Sequence, residues 1–157
     1  MAGLRRVNFH DLVPEYDDAD PDGYRAGMAR FGPALGAAMM GASLYELPPG
    51  QSICPYHYEY PDEEWLLVVA GRVTVRHPGG EDELGTGDIV CFPPGPDGAH
   101  KVTCLGDETA RVVMSSTKQK PAVAVYPDSD KVGIWPGDDR DVLMMRRESL
   151  PYWDGEA

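Results

Sequence analysis

Several common features are missing from this 157-residue sequence, and each absence excludes a class of protein. It has only three cysteines and no CxxC pair, which argues against a disulfide framework and a thiolate zinc site. No apolar stretch approaches the roughly 20 residues that a membrane-spanning helix needs. No long apolar segment follows the arginines near the amino terminus, so the pattern does not predict a signal peptide. We therefore expect a cytoplasmic protein that does not enter membranes.

Positive charge is also scarce. The chain has 14 lysines and arginines against 26 aspartates and glutamates, which gives a formal net charge of −12. Nucleic acids and anionic membrane surfaces are polyanions, so the charge argues against both as partners. A small-molecule substrate or ligand is still compatible, because one cavity can differ in sign from the whole surface.

Helical periodicity is the third scarce feature, whereas turn residues are abundant. The sequence has 18 glycines and 15 prolines, which suits many short strands joined by tight turns. Its apolar content of 42% is enough for one core in one domain. These properties predict an all-β protein.

Strand signals recur from residue 39 onward, mostly about ten residues apart. The run at residues 64–71 is typical of a buried strand, and residues 72–77 then alternate with Val73 and Val75 on one face. A short helix from Ala34 to Met40 is the alternative interpretation just before the first strand. The spacing favours an antiparallel sandwich or barrel. The other predicted strands are Met39 to Leu47, Ile89 to Phe92, 100–106, 110–117 and two short pieces within 122–139.

Imidazole and carboxylate side chains lead directly into the first buried strand. His57 and Glu59 are two residues apart, so in an extended segment both point to one face, and Glu64 begins the returning strand. A second hairpin brings His100 toward the same interior. Burying such groups alone is costly, so they need a shared partner. A solvated loop with ordinary acidic residues is the alternative interpretation.

Two motifs in tandem resemble the signatures of the cupin superfamily. The resemblance covers Leu44 to Thr117, and the segment "AVAVYPDSDKVGIW" that follows is similar to the tail of single-domain bacterial cupins labelled only provisionally as sugar isomerases. It implies a double-stranded β-helix, or jelly-roll, barrel of antiparallel strands at residues 39–126. An N-terminal extension, 1–38, would pack on the barrel, a C-terminal extension would span 127–157, and the protein would form a homodimer. The first motif reads Gly50, His57, Glu59, Glu64 and Gly71, and the second reads Gly87, Pro93, Gly95, His100 and Cys104.

The motifs depart from the family pattern in four places. Glu59 stands where the second histidine of the first motif is usual, and Cys104 stands where asparagine is usual. The spacings that precede His57 and His100 are also longer. The change at Glu59 affects which metal binds, whereas the others are adjustments of loops.

Carried over residue by residue, the resemblance places the metal ligands on His57, Glu59, Glu64 and His100. Two neutral imidazoles and two carboxylates balance one divalent cation, which would supply the missing partner. Because it has an extra carboxylate, the donor set is harder, in the sense of hard and soft ligands, than a set with three histidines. It therefore favours manganese, iron(II), nickel or zinc over copper.

The resemblance favours a metal-dependent enzyme that isomerises or epimerises a small, sugar-like hydroxy-carbonyl compound. The metal would polarise the carbonyl, and Glu59 is the candidate catalytic base if it leaves the metal. One alternative is an iron(II)-dependent dioxygenase that uses His57, His100 and one carboxylate. Another is a non-catalytic module that binds or senses a small ligand.

Neighbouring residues of the motifs are assigned structural roles. Strand alternation sends Glu63 and Trp65 away from Glu64, toward the outer surface. Cys54 and Cys104 are predicted to be small buried hydrophobic residues rather than ligands.

Overall fold

The computed structural model describes residues 3–137, 143–146 and 154. Short strands account for most of the secondary structure. Its single α-helix, α1 (Gly32–Leu35), is one turn long, and two 3₁₀ turns span Pro96–Gly98 and Pro127–Ser129. Within these ranges no helix is long and apolar enough to span a bilayer. The strands are β1 (Gly27–Arg30), β2 (Met40–Leu47), β3 (Tyr58–Tyr60), β4 (Glu64–Ala70), β5 (Arg72–His77), β6 (Gly80–Gly85), β7 (Ile89–Phe92), β8 (Lys101–Cys104), β9 (Ala110–Thr117), β10 (Ala122–Tyr126), β11 (Lys131–Trp135) and β12 (Leu143–Arg146).

These strands form three antiparallel sheets. The largest has the order β1-β2-β9-β4-β7, the second β12-β11-β10-β3, and the third β6-β5-β8. Isolated bridges between Ser52 and Thr103 and between His57 and His100 connect the segment before β3 to β8 and its preceding loop. The fold is the all-β jelly-roll barrel of antiparallel strands that the sequence predicts.

The hydrophobic core lies between the large sheet and the β6-β5-β8 sheet. In β4, Leu66 and Val68 are buried at 0% and 1% exposure, whereas Trp65 points outward at 42%. In β5 the alternation buries Val73 and Val75, as predicted. Apolar side chains of β2, β7, β8 and β9 complete the cluster: Leu47, Phe92, Val102, Cys104, Ala110, Val112 and Met114.

Strand boundaries agree closely with the sequence patterns where those patterns are strong. The strand expected at Met39 to Leu47 begins one residue later, and the strand at Ile89–Phe92 has the predicted bounds. The alternative helix from Ala34 to Met40 is replaced by the single turn α1. The strand β1 was not predicted, because "GMAR" has no alternating pattern and is held by its pairing with β2.

Both flanking segments add strands to the barrel sheets. β1 lies at the edge of the large sheet beside β2, and β11 pairs with β10 in the second sheet. Of the predicted extension 127–157, residues 138–142, 147–153 and 155–157 lie outside the described residues.

Candidate metal centre

Three chemically distinctive side chains meet inside the barrel although they lie far apart in the sequence. His57 immediately precedes β3, Glu64 is the first residue of β4, and His100 immediately precedes β8. The backbone N–H groups of His57 and His100 donate to each other's carbonyl oxygens at 3.1 and 2.8 Å. This bridge places the two imidazole rings side by side, with centroids 4.8 Å apart.

The backbone also sets how each imidazole presents its nitrogens. Nδ1 of His57 lies 3.0 Å from the carbonyl oxygen of Pro55, and Nδ1 of His100 lies 2.9 Å from that of Gly98. A carbonyl oxygen can only accept, so each Nδ1 carries a proton and donates it. In the neutral rings Nε2 therefore carries a free lone pair, and this is the form in which histidine binds a metal.

Glu64 faces both of these lone pairs. Its Oε2 lies 3.6 Å from Nε2 of His57 and 3.4 Å from Nε2 of His100. All three residues are largely buried, with side-chain exposures of 8% for His57, 16% for Glu64 and 2% for His100. Three electron-pair donors thus converge in a place that water reaches poorly.

The donor set fits a divalent cation. Ligand atoms of His57, Glu64 and His100 lie within 4.8 Å of one another, and the buried Nε2 of His100 has no hydrogen-bond partner among the described residues. Two ligands at about 2.1 Å from one ion can be up to about 4.2 Å apart, and both nitrogen–oxygen distances fall below that limit. An ion bound to all three groups would provide the partner that Nε2 of His100 lacks.

The pKa shifts of the three side chains also indicate that the site favours a positive charge. Burial alone would lower the pKa of His57, but nearby Cys54 and Glu64 outweigh it and raise that pKa to about 11. Burial and then the charge on His57 lower the pKa of His100 to about 4. Burial would raise the pKa of Glu64, yet the two imidazoles hold it below its usual value. Glu64 and Cys54 thus favour positive charge at this point of the site.

Glu59, the fourth predicted ligand, lies beside this group rather than in it. Its Oε1 is 4.0 Å from Nε2 of His57, and it is not among the ligand atoms that cluster within 4.8 Å. Burial and the carboxylate of Glu64 raise the pKa of Glu59 to about 7. The structure thus brings together three of the four predicted residues and leaves Glu59 at the edge of the site.

The site opens into a cavity of about 540 Å³, a size typical of pockets for small molecules. Two tyrosines that the sequence analysis missed line it, Tyr45 on β2 and Tyr126 at the end of β10. Burial, reinforced by nearby Cys54 and the carboxylates, raises the pKa of each phenol to about 12. Both are therefore neutral hydrogen-bonding groups at pH 7.

Strand pairing explains the position of Tyr126. Ala124 pairs with Glu59, and Tyr126 follows two residues later on the same face, so its ring stacks on His57 at 5.8 Å. The alternation of "AVAVY" indicates which residues share this face. Only the pairing of β10 with β3 shows that the face looks into the site.

Glu63 and Cys104 follow the structural roles assigned to them, whereas Cys54 does not. Glu63 accepts a hydrogen bond from the Trp65 indole at 2.8 Å, away from Glu64. Cys104 is buried in the core. Cys54 is half-buried and lines the cavity, with its Sγ 3.5 Å from Nδ1 of His57.

Comparisons with known proteins agree with this architecture. Residues 43–116 match the family model of the cupin domain. A sugar phosphate isomerase of the cupin superfamily from Silicibacter pomeroyi DSS-3 is similar over 93% of this chain and 95% of its own, with 23% identity and a TM-score of 0.80. A provisionally assigned sugar phosphate isomerase from Acidithiobacillus ferrooxidans covers 91% of this chain and 92% of its own, with 22% identity and a TM-score of 0.78.

A third similar structure is named for a different activity. The polyketide cyclase RemF from Streptomyces resistomycificus covers 76% of this chain and 84% of its own, at 21% identity and a TM-score of 0.60. No curated protein matches the sequence. At these identities the likeness concerns the fold, which different activities share. Residues 43–116 thus match the cupin domain, and the similar structures share the fold of the chain as a whole.

Proposed function

We propose that this protein is a metal-dependent enzyme that isomerises or epimerises a small, sugar-like hydroxy-carbonyl compound. The observation that carries the proposal is the convergence of three ligand atoms beside a cavity, with a further carboxylate, Glu59, next to them. Two structurally similar proteins are named as sugar phosphate isomerases, which identifies the class of compound to test first.

In this proposal His57, Glu64 and His100 hold one divalent ion. Two imidazoles and one carboxylate are compatible with zinc, manganese, iron(II) or nickel. The ion supplies Lewis acidity toward a carbonyl oxygen of the substrate. The buried setting, in which each histidine is fixed by a backbone carbonyl, keeps the ligand atoms aligned.

Glu59 acts as the base. Its carboxylate faces the cavity and lies outside the ligand group, so it can take a proton from the carbon beside the carbonyl. In an isomerisation it returns that proton to the former carbonyl carbon, while the hydroxyl proton moves to the former carbonyl oxygen. The neutral phenols of Tyr45 and Tyr126 can hydrogen-bond to these oxygens. The net reaction consumes no other reagent.

The position of Glu59 also favours a second candidate function. Without Glu59 the ligands are two histidines and one carboxylate, the set found in non-haem iron(II) oxygenases. An iron(II) dioxygenase would consume oxygen, whereas an isomerase would not.

The test is hydrogen exchange in D₂O under anaerobic conditions. Protein loaded separately with each of the four metals is incubated with a panel of aldoses, ketoses and their phosphates, and deuterium at the carbon beside the carbonyl is followed by NMR. We expect exchange with at least one metal in the wild type. Glu59→Gln should slow it by about 100-fold to 10,000-fold, the usual contribution of a general base.

Glu63→Gln is the matched control, because Glu63 lies nearby but points outward. It should leave the exchange rate unchanged. Full activity of the Glu59→Gln variant would remove Glu59 from the role of base. Turnover that requires oxygen would favour the dioxygenase, and a ligand that binds but never reacts would indicate a binding module.

A further inference from the structure

Three cationic side chains line the same cavity as the proposed metal ligands. One of them, Lys120, donates a hydrogen bond from Nζ to the carbonyl oxygen of Gly137 at 2.9 Å. Arg30 and Lys118 border the cavity of about 540 Å³ together with Glu64. They also border an adjoining cavity of about 280 Å³, which Glu64 lines as well. The two cavities therefore share one wall, and Arg30 and Lys118 are part of it.

Strand register explains why Arg30 lies on the inner face of the sheet. Arg30 pairs with Ser43, Ser43 with Met114, and Met114 with Leu66, so the four form one row across β1, β2, β9 and β4. Residues that pair directly share a face, and Leu66 in this row belongs to the buried core. Glu64 is two residues from Leu66 on the same face.

Lys118 is positioned by the residues on either side of it. The buried carboxylate of Asp62 accepts hydrogen bonds from the Thr117 hydroxyl at 2.9 Å and from the Gln119 N–H at 2.8 Å. The aliphatic part of Lys118 passes over Gly41, where an added Cβ would lie 3.8 Å from its Cγ. Thr117 and Gln119 are therefore anchored, and the exposed Lys118 side chain is left at the edge of the cavity.

Neither the Arg30 guanidinium nor the Lys118 ammonium has a protein partner within residues 3–137, 143–146 and 154. In that part of the chain Arg30 and Lys118 make no ion pair and no side-chain hydrogen bond, whereas Arg72, Arg76 and Arg111 each pair with a carboxylate. The lack of an ion pair at Arg30 and Lys118 within these residues is informative, because acidic residues exceed basic ones by 12 and carboxylate partners are plentiful.

The acidic groups of the cavity have other contacts. Glu64 faces the two imidazoles, Asp62 accepts two hydrogen bonds, and Glu59 lies beside His57. Arg30 and Lys118 are therefore two cations of the cavity that contact no described carboxylate, whereas the Lys120 ammonium is held by the carbonyl oxygen of Gly137.

We propose that Arg30 and Lys118 bind a doubly charged oxyanion, so that the substrate of the site is a phosphate monoester. Two cations match the charge of a phosphate monoester, which is close to −2 above its second pKa of about 6. The arginine guanidinium can donate two parallel hydrogen bonds to such a group, and the lysine adds a point charge. The inference rests on the proposed function and names its substrate class.

The test uses inorganic phosphate as the probe and protein freed of metal by a chelator, so that phosphate cannot bind through a metal. Isothermal titration at pH 8 and constant ionic strength should show saturable binding to the wild type. Arg30→Gln and Lys118→Gln should each weaken it by about fivefold to tenfold, as expected for a partly exposed charge-assisted contact. Acetate, a singly charged carboxylate, should bind more weakly than phosphate.

Arg72→Gln is the control, since it removes the same charge from an exposed pair with Glu83, and it should leave binding within twofold of the wild type. Equal phosphate binding by the wild type and both cavity variants, or no saturable binding at all, would overturn the inference. Acetate binding as tightly as phosphate would overturn the assignment to a dianion. The titration involves neither metal nor turnover, so failure of the isomerase proposal would be seen separately, in the exchange assay.

Discussion

The two ends of the central strands β2, β9 and β4 have the same backbone pairing but opposite chemistry. At one end Leu47 pairs with Ala110, and both are fully buried. At the other end Glu64 pairs with Ser116, and Ser116 pairs with Gly41. Hydrogen-bonded pairing therefore continues past the point where hydrophobic burial stops. The apolar end stabilises the barrel, and the polar end contains the candidate site.

The polar end lowers the stability of the fold, and burial of apolar side chains at the other end offsets this loss. The buried Nε2 of His100 has no hydrogen-bond partner in the described part of the chain, and a buried unsatisfied polar atom costs about 1–3 kcal/mol. Burying a leucine such as Leu47 contributes a gain of similar size, about 1.5–3 kcal/mol. Substitutions at the two ends should consequently separate ligand binding from stability.

The largest expected effect is the loss of metal from the polar end. His57→Ala and His100→Ala should each reduce the metal content of protein purified without added metal from about one ion per chain to near zero. Each variant removes one of three converging ligands, and the remaining two cannot hold the ion as tightly. Elemental analysis of the purified proteins is the measurement.

His77→Ala is the control for this prediction, because His77 lies on β5 and pairs with the exposed Asp82. A second variant, His100→Leu, keeps an apolar side chain against Phe92, on which His100 stacks at 3.7 Å. It should lose the metal and still fold. Unchanged metal content in both alanine variants would contradict the site.

The next largest effect is the loss of stability at the apolar end. Leu47→Ala should lower the free energy of unfolding by about 2–5 kcal/mol, because it leaves a cavity in a fully buried position. Urea denaturation of the metal-free protein measures this loss. The folded variant should bind one metal ion like the wild type.

Val13→Ala serves for comparison, since Val13 is 82% exposed and its truncation should change stability by less than about 0.5 kcal/mol. If folded Leu47→Ala protein lost its metal, the two ends would not be separable in the way the pairing indicates.

The smallest expected effect comes from an exposed ion pair outside both ends. Arg76 donates two hydrogen bonds to Asp128 at 2.6 and 3.0 Å, and they hold the pKa of Asp128 below its usual 3.8. Both side chains are about half exposed, so Asp128→Asn should cost less than about 1 kcal/mol at pH 7.

The pH dependence of this pair has a definite sign. The folded pKa of Asp128 is lower than the unfolded one, so the stabilisation is complete well above pH 3.8 and is lost as the pH falls through the folded pKa. Urea denaturation of the wild type and of Asp128→Asn, from pH 7 downward, should show their difference shrinking. A difference that grew in acid would show that the pair does not act through this charge.

Local patterns carried much of the information about the fold. The alternation in "RVTVRH" identified Val73 and Val75 as core residues, and the flanking turn residues delimited the strand at Ile89–Phe92. The strand β1 was missed, because the pairing with β2 holds it and its own side chains show no pattern. Tertiary contacts thus outweighed local preference at the edge of the sheet.

The candidate site was only partly readable from the sequence. The motif spacing identified His57, Glu64 and His100, because a motif records which residue types recur at fixed separations. Four residues that line the cavity lie outside the motifs, and no spacing rule connects them to the candidate site: Tyr45, Tyr126, Arg30 and Lys118. They reach the cavity through the register of β1, β2, β9 and β10.

The sequence by itself determined that this chain forms a β barrel with imidazoles and carboxylates in its interior, since strand alternation and motif spacing are local properties. The tertiary structure alone decided which of those groups share one point in space. It placed Glu59 beside the three converging ligands and brought Arg30 and Lys118, which pair with no described carboxylate, to the same cavity. The physical reason is that the distance between side chains on different strands depends on pairing register, which is settled only when the whole barrel closes.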